Sequence, residues 1–261
     1  MSLATPAGRT VVGSLTWYSV LITCAVLLSI FMARYEAKRR GLHKDVITDA
    51  ALYMIPLGIL GARVYYVLFE WRQYSLEPIR ILFIWQGGLA IYGALIGGAL
   101  GLWIYTMRKH LSFPVMLDIF SPCVILSQAI GRWGNYFNQE AYGAAVSNPA
   151  HRFFPMAVRI TTGPEPQWHY ATFFYEFVWN LVVFMILIII KKHVRKEGDL
   201  FLCYLMLYAL GRTFIEELRT DSLMAFGGTI RISQLLSAVA VITILAYFAI
   251  RRLRNHKVHG R

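Results

Sequence analysis

Charge is scarce in this chain. Only 14 of its 261 residues are Asp or Glu, and the four charged types together make up 15%. Cysteine is scarcer: Cys24, Cys123 and Cys203 each stand inside an apolar stretch, with no close pair. That spacing excludes a disulfide framework and a paired-thiol zinc site, and leaves the three as small buried hydrophobes. Internal repeats, low-complexity tracts and soluble-domain boundaries are also missing, so the chain reads as one domain over 1–261. The first fourteen positions carry Arg9 as their single charge and lack the basic start and small-residue cleavage site of an export signal. The first apolar run is therefore expected to stay as a span.

What fills the chain instead is hydrocarbon. Hydrophobic residues make up 57% and the mean hydropathy is +0.51, outside the range of a soluble domain of this length. The fold class is an all-α, polytopic integral membrane protein. Apolar windows at 15–33, 46–69, 81–107, 114–130, 171–190, 200–215 and 232–250 approach the roughly 20 residues that cross a bilayer, so about seven transmembrane helices are predicted. The net charge of +12 does not point to nucleic acid, because the basic residues fall in short clusters between apolar spans. Arg34 to Lys44, Arg108 with Lys109, Lys191 to Lys196, and Arg251 to Lys257 mark cytoplasmic loops. The N-terminus is then outside and the C-terminus cytoplasmic.

This topology puts the connection at about 131–170, the far end of the sixth span and Tyr18 on the external side. Pro149, Pro155, Pro164 and Pro166, with Gly143 and Gly163, make the connection irregular, and it reads equally as a lid or as a plain exposed loop. It opens with Gly131-Arg132-Trp133-Gly134-Asn135-Tyr136-Phe137-Asn138-Gln139-Glu140-Ala141-Tyr142-Gly143. An arginine, two asparagines and a glutamate at the edge of an apolar segment are costly unless they serve a polar ligand. Arg132 offers a planar fork of donors that matches phosphate. Asn135 and Asn138 can orient hydroxyls, and Glu140 can accept a proton or balance the arginine. The glycines suggest a sharp turn or a close approach.

Other polar residues carry two readings each. Arg212 and Glu216, four apart on a helix, form either an ion pair or a phosphate contact, and Arg219 continues their face or anchors at the interface. Gly97, Gly98 and Gly101 read as helix packing, whereas Tyr92 beside Gly93 has a hydroxyl that needs a partner. Arg63 is paired to Glu70, to backbone or to a headgroup. Asp49 and Asp118 read as helix-end residues. His169, Tyr175 and Glu176 open the fifth span, where Tyr fits an aromatic belt but Glu176 does not.

The run GRWGNYFNQEAYG resembles the motif of the bacterial prolipoprotein diacylglyceryl transferases. Trp17-Tyr18, Gly87-Gly88 with Tyr92-Gly93, Thr172 to Glu176, and Tyr208 with Arg212 and Glu216 extend the resemblance in order over nearly the whole chain. The family resemblance implies a multi-pass enzyme of the bacterial cytoplasmic membrane, with its site toward the external face. It would move the diacylglyceryl group of phosphatidylglycerol to the lipobox cysteine of a preprolipoprotein and release glycerol 1-phosphate. No metal or organic cofactor is implied; the partners are phosphatidylglycerol, the lipobox segment and membrane lipids, with no nucleic acid. Carried over by position, Arg132 binds the phosphate, and Asn135, Asn138, Glu140 and Gly143 shape its pocket. Arg212 makes a second phosphate contact, Glu216 orients it, and Tyr18, Gly93 and Arg219 line the site. Many members have a histidine where this chain has Tyr92. The proton acceptor stays open among Glu140, Glu216, Tyr92 and the phosphate itself. A transporter or flippase for an anionic lipid is the competing class, and would be expected to show repeat symmetry and midplane charges.

Overall fold

The computed structural model describes residues 10–12, 15–161, 165–219, 224–225 and 230–259. Arg9, Gly163 and Pro164, used in the sequence reading, lie outside the described residues. The chain divides into two compact units, one of residues 1–29 with 120–261 and the other Ile30–Ile119.

Helices dominate, as long apolar runs without competing polar side chains demand. In chain order they are α1 (Trp17–Arg39), α2 (Val46–Phe69), the short α3 (Trp71–Tyr74), α4 (Ile91–Lys109), α5 (Phe113–Asn138), α6 (Thr172–Ile190), α7 (Asp199–Ile215) and α8 (Ile232–His259). Among the described residues, α1, α2, α5, α6 and the part of α8 from Ser233 to Arg254 are long and apolar enough to cross a membrane. Their outward faces are apolar, with Leu52, Phe69, Ile189 and Ile242 exposed, while Arg63, Glu176 and Glu216 are buried. That is the reverse of a soluble protein and suits a hydrocarbon surround.

Two expected spans are corrected. The window at 81–107 does not begin as a helix: Pro78–Leu82 and Ile84–Gln86 form short 3-10 turns, and α4 starts at Ile91 with 19 residues. Gly87 and Gly88 take φ of 90° and 73°, a left-handed conformation that interrupts the helix. The sixth window forms α7, which has 17 residues and falls outside the long apolar set. Two smaller corrections follow. Cys24 is exposed, unlike Cys123. Asp118 is buried at 3% exposure in the second turn of α5 instead of capping it.

Within the Ile30–Ile119 unit, α2 and α4 meet through glycine. A Cβ on Gly97 would fall 2.0 Å from the Leu57 carbonyl oxygen, and one on Gly93 would fall 2.2 Å from that of Gly61. Small residues one turn apart let the backbones touch. Gly98 has no such contact, its nearest neighbour being the Met54 carbonyl oxygen at 3.9 Å, so the packing reading fails there. Arg63 settles on backbone: its guanidinium donates to the carbonyls of Arg80 (2.5 Å), Ile81 (2.9 Å), Gly87 (2.8 Å) and Gly88 (2.9 Å). It also lies 5.1 Å from the centre of the Tyr74 ring. One buried cation thus holds the irregular segment ahead of α4.

The other unit contains the start of α1, most of α5, and α6 to α8. A hairpin of β1 (Thr10–Val12) and β2 (Leu15–Thr16) leads into α1. Between α5 and α6 lies an antiparallel pair, β3 (Ala157–Ile160) and β4 (Gln167–Tyr170), with Val158 opposite His169. Between α7 and α8, β5 (Met224–Ala225) pairs with β6 (Ile230–Arg231). Ile125, Val183, Leu187, Leu200 and Tyr204 form an apolar core along α5, α6 and α7. Arg251 of α8 grips Asp199 at the start of α7 with two bonds of 2.6 and 2.8 Å.

The glycine contacts set a direct comparison. Gly97→Ala is expected to lower the unfolding free energy by about 1–3 kcal/mol through overpacking. Gly98→Ala, which meets no close contact within a helix, should leave it unchanged or raise it by up to about 1 kcal/mol. Unfolding in graded detergent mixtures, followed by circular dichroism, measures both.

Candidate functional site

Helical spacing sorts the residues of the polar motif. Arg132 and Asn135, three apart near the end of α5, share a face, and the Arg132 Nη1 donates to Asn135 Oδ1 at 3.3 Å. The amides of Asn135 and Asn138 both donate to Glu140 Oε1 at 3.1 Å. Trp133, Tyr136 and Phe137 turn away into an aromatic group with Phe173, Phe174 and Phe177, which fixes α5 against the start of α6.

The sharp turn expected from Gly131 and Gly134 lies later. Both glycines are helical, and the chain reverses at Gln139 and Ala141, each with φ of 54°. Non-glycine residues in that conformation are strained and need outside support. Gln139 receives it from the Thr161 backbone N–H, which donates to its Oε1 at 2.6 Å, and Ala141 from the Thr172 hydroxyl, which donates to its carbonyl at 2.7 Å. Gly134 serves a close approach instead: a Cβ there would meet the Tyr18 ring at 2.5 Å. Trp17 stacks on Phe137 with ring centres 5.1 Å apart, so the start of α1 is docked on the motif.

The motif's arginine meets two others on one carboxylate. Arg132 Nη2 lies 2.7 Å from Glu176 Oε2, while Arg212 Nη1 and Arg219 Nη1 lie 3.1 and 3.2 Å from Glu176 Oε1. Arg212 Nη2 also pairs with Glu216 Oε2, so the i,i+4 ion pair is present. The Glu176 side chain is 4% exposed and the three arginines 12–18%. Charges this far from water need close partners. Among the described residues, three guanidinium groups gather around Glu176, and Arg212 also pairs with Glu216. Glu140 is exposed and contacts the asparagines, which sets it at the rim. Guanidinium forks in this arrangement match the oxygens of a phosphate ester.

The sequence alone does not assign Glu176 to the site. The signal for it is a carboxylate one turn inside an apolar helix.

Gly143 stands at a close backbone approach. A Cβ there would lie 2.8 Å from the Leu218 carbonyl oxygen and 2.9 Å from Tyr170 Cβ. The missing side chain lets the loop run between β4 and the stretch carrying Arg219. Gly143 N–H donates to the Tyr170 carbonyl at 2.9 Å, Ala144 N–H donates to that of Leu218 at 3.0 Å, and Gly143 bridges Arg219. His169 Nδ1 lies 2.8 Å from the Gly143 carbonyl oxygen and Tyr175 O–H donates to the Met156 carbonyl at 2.5 Å, tying the same loop to β4 and α6.

Beside the cluster, α6 and α7 leave a crevice lined by Glu176, Trp179, Asn180, Tyr208, Gly211, Arg212 and Ile215. Trp179 donates through Nε1 to the Leu207 carbonyl at 2.9 Å and packs where a Gly211 side chain would stand. Tyr92 and Gly93 belong to the other compact unit. There Tyr92 is exposed with its ring 6.2 Å from that of Tyr65, and Gly93 packs on α2.

Comparison with known proteins shows the family to which the chain belongs. A family model described as prolipoprotein diacylglyceryl transferase matches residues 9–250. The phosphatidylglycerol-prolipoprotein diacylglyceryl transferase of Enterococcus faecalis is 44% identical over 250 residues, covering 94% of this chain and 90% of the relative. The protein of the same name from Bacillus licheniformis is 43% identical over 244 residues, covering 93% and 90%. That from Limosilactobacillus reuteri is 44% identical over 252 residues, covering 92% and 88%. With the match running through every residue of the arginine cluster, this chain belongs to the prolipoprotein diacylglyceryl transferase family.

Proposed function

We propose that this chain transfers the diacylglyceryl group of phosphatidylglycerol to the lipobox cysteine of a preprolipoprotein. The observation that carries the site assignment is the convergence of Arg132, Arg212 and Arg219 on Glu176. In this reading the lipid phosphate enters the cluster and accepts hydrogen bonds from its guanidinium groups. The cysteine thiolate attacks the glycerol carbon that bears the phosphate. A carbon–sulfur bond forms, the carbon–oxygen bond breaks, and glycerol 1-phosphate leaves with the electron pair. Negative charge grows on the leaving oxygen, where Arg132 and Arg212 stabilise it by about 2–4 kcal/mol for a well-placed donor.

The thiol, with an ordinary pKa of about 8.5, must also lose its proton. Glu176 and Glu216 spend oxygens on guanidinium groups, whereas Glu140 accepts from two neutral amides and faces outward. Glu140 is therefore the proton acceptor in this account. Tyr18 lines the approach, and Asn135 and Asn138 aim Glu140.

The transfer takes place at the external face of a bacterial cytoplasmic membrane, with the N-terminus outside and the C-terminus inside. Helix ends support that orientation: Glu176 opens α6 and Arg212 closes α7, while Lys191 and Lys192 follow the end of α6 and Arg251 grips Asp199 at the start of α7. The site and the basic clusters thus occupy opposite ends of these helices, as the positive-inside rule requires. α4 and α7 complete seven crossings, α7 at about 25 Å being short for a core of about 30 Å. The flippase reading is not favoured, since family membership and the placement of the charges at helix ends both point to transfer.

Three variants test the roles in a single assay, transfer of labelled diacylglyceryl from phosphatidylglycerol to a lipobox peptide by purified protein. Arg132→Ala and Arg212→Ala should each lower kcat by about 100- to 1,000-fold; full transfer by both would refute the phosphate clamp. Glu140→Gln keeps an acceptor for both asparagines but loses the basic carboxylate, so kcat should fall by about 100-fold or more with KM little changed. An unchanged kcat removes Glu140 as base. Glu176→Gln takes the anion from among three cations, and its unfolding free energy should drop by about 3 kcal/mol or more, measured by detergent titration.

A further inference from the structure

Asn180 is among the buried polar residues that the mechanism above leaves unused. Asn180 is 2% exposed, and its Nδ2 has no hydrogen-bond partner among the described residues. It lines the α6–α7 crevice together with Glu176 and Arg212. Asn180 lies four residues after Glu176, so the two share a face, with the amide about 6 Å farther from the helix start and toward the apolar middle of the span. An amide donor left unmet in such surroundings is unfavourable, and an apolar side chain of the same size would suit the helix better. The group is therefore suited to an acceptor that arrives with a ligand.

In a glycerophospholipid the ester carbonyls follow the phosphate by a few bonds and point toward the acyl chains. A lipid whose phosphate lies among Arg132, Arg212 and Arg219 would bring a carbonyl down the same face of α6. The Trp179 indole, fixed by its bond to Leu207, and the bare Gly211 form the wall of this path. We infer that Asn180 is a further substrate-binding residue, donating from its amide to an ester carbonyl of the bound glycerolipid. This assignment rests on the reading of the arginine cluster as a phosphate site. It makes the enzyme selective for diacyl over dialkyl lipids.

The test compares dioleoyl phosphatidylglycerol with its dialkyl ether analogue, which keeps the phosphate and headgroup but lacks both carbonyls. Purified full-length wild type and Asn180→Leu are each given both lipids and a lipobox peptide. Wild type should favour the diacyl lipid in kcat/KM by about 3- to 10-fold, the worth of one hydrogen bond. In Asn180→Leu that preference should vanish, with ether-lipid turnover unchanged and thermal stability equal to or above wild type. Retention of the full preference by the variant would overturn the inference while leaving the phosphate site intact. Equal loss with both lipids and a lowered melting temperature would overturn it in favour of a structural asparagine. A folded wild type that turns over neither lipid would overturn the phosphate reading itself, and this inference with it.

Discussion

One carboxylate organises the functional end of this protein. Glu176 lies in the first turns of α6, and arginines from α5, from α7 and from the stretch after α7 all reach it. Remove that negative charge and three guanidinium groups of low exposure face one another in poor solvent. The aromatic packing of α5 on α6, the bridge from Gly143 to Arg219, and the ion pair of Arg212 with Glu216 all help to keep the cations around it. In the account proposed above, the clustered guanidinium donors give a phosphodiester a reason to bind in a place otherwise hostile to ions.

Around this polar centre the protein is apolar outward and close-packed through missing side chains. Gly134 admits the Tyr18 ring, Gly143 admits the Arg219 stretch, and Gly211 admits Trp179. Each is a position where backbone or ring comes too near for a methyl group. Arg63 plays a comparable part in the Ile30–Ile119 unit, where backbone carbonyls, in place of a carboxylate, satisfy a buried cation. A membrane protein has little hydrophobic drive between its helices, so such contacts carry much of its specificity.

Local chemistry was legible in the sequence and tertiary chemistry was not. Arg132, Asn135, Asn138 and Glu140 sit within one short run; helical spacing joins the first two, and the turn at Gln139 brings Glu140 back to the asparagines. The Arg212–Glu216 pair was readable for the same reason. Glu176 was noticed as a misfit among belt residues, but its role depends on partners 36 to 44 positions away in the chain, which no local pattern reveals. The motif's glycines point to a sharp turn or a close approach; Gly134 and Gly143 serve close approaches, and the turn falls on Gln139 and Ala141, held by Thr161 and Thr172. The start of α4 is not fixed by the apolar run, because glycines at 87 and 88 permit either close packing or a break, and the break follows from their left-handed conformation and the reach of Arg63. The apolar spans themselves were well marked, since hydrocarbon length is a composition signal.

The central claim is that the Glu176 cluster receives the lipid phosphate. Determining the structure with phosphatidylglycerol bound tests it most directly. The account predicts phosphate oxygens within about 2.7–3.2 Å of the Arg132 and Arg212 guanidinium nitrogens, with the glycerol carbon that bears the phosphate open toward Glu140. A lipid phosphate held elsewhere, with all three arginines still closed on Glu176, would contradict it.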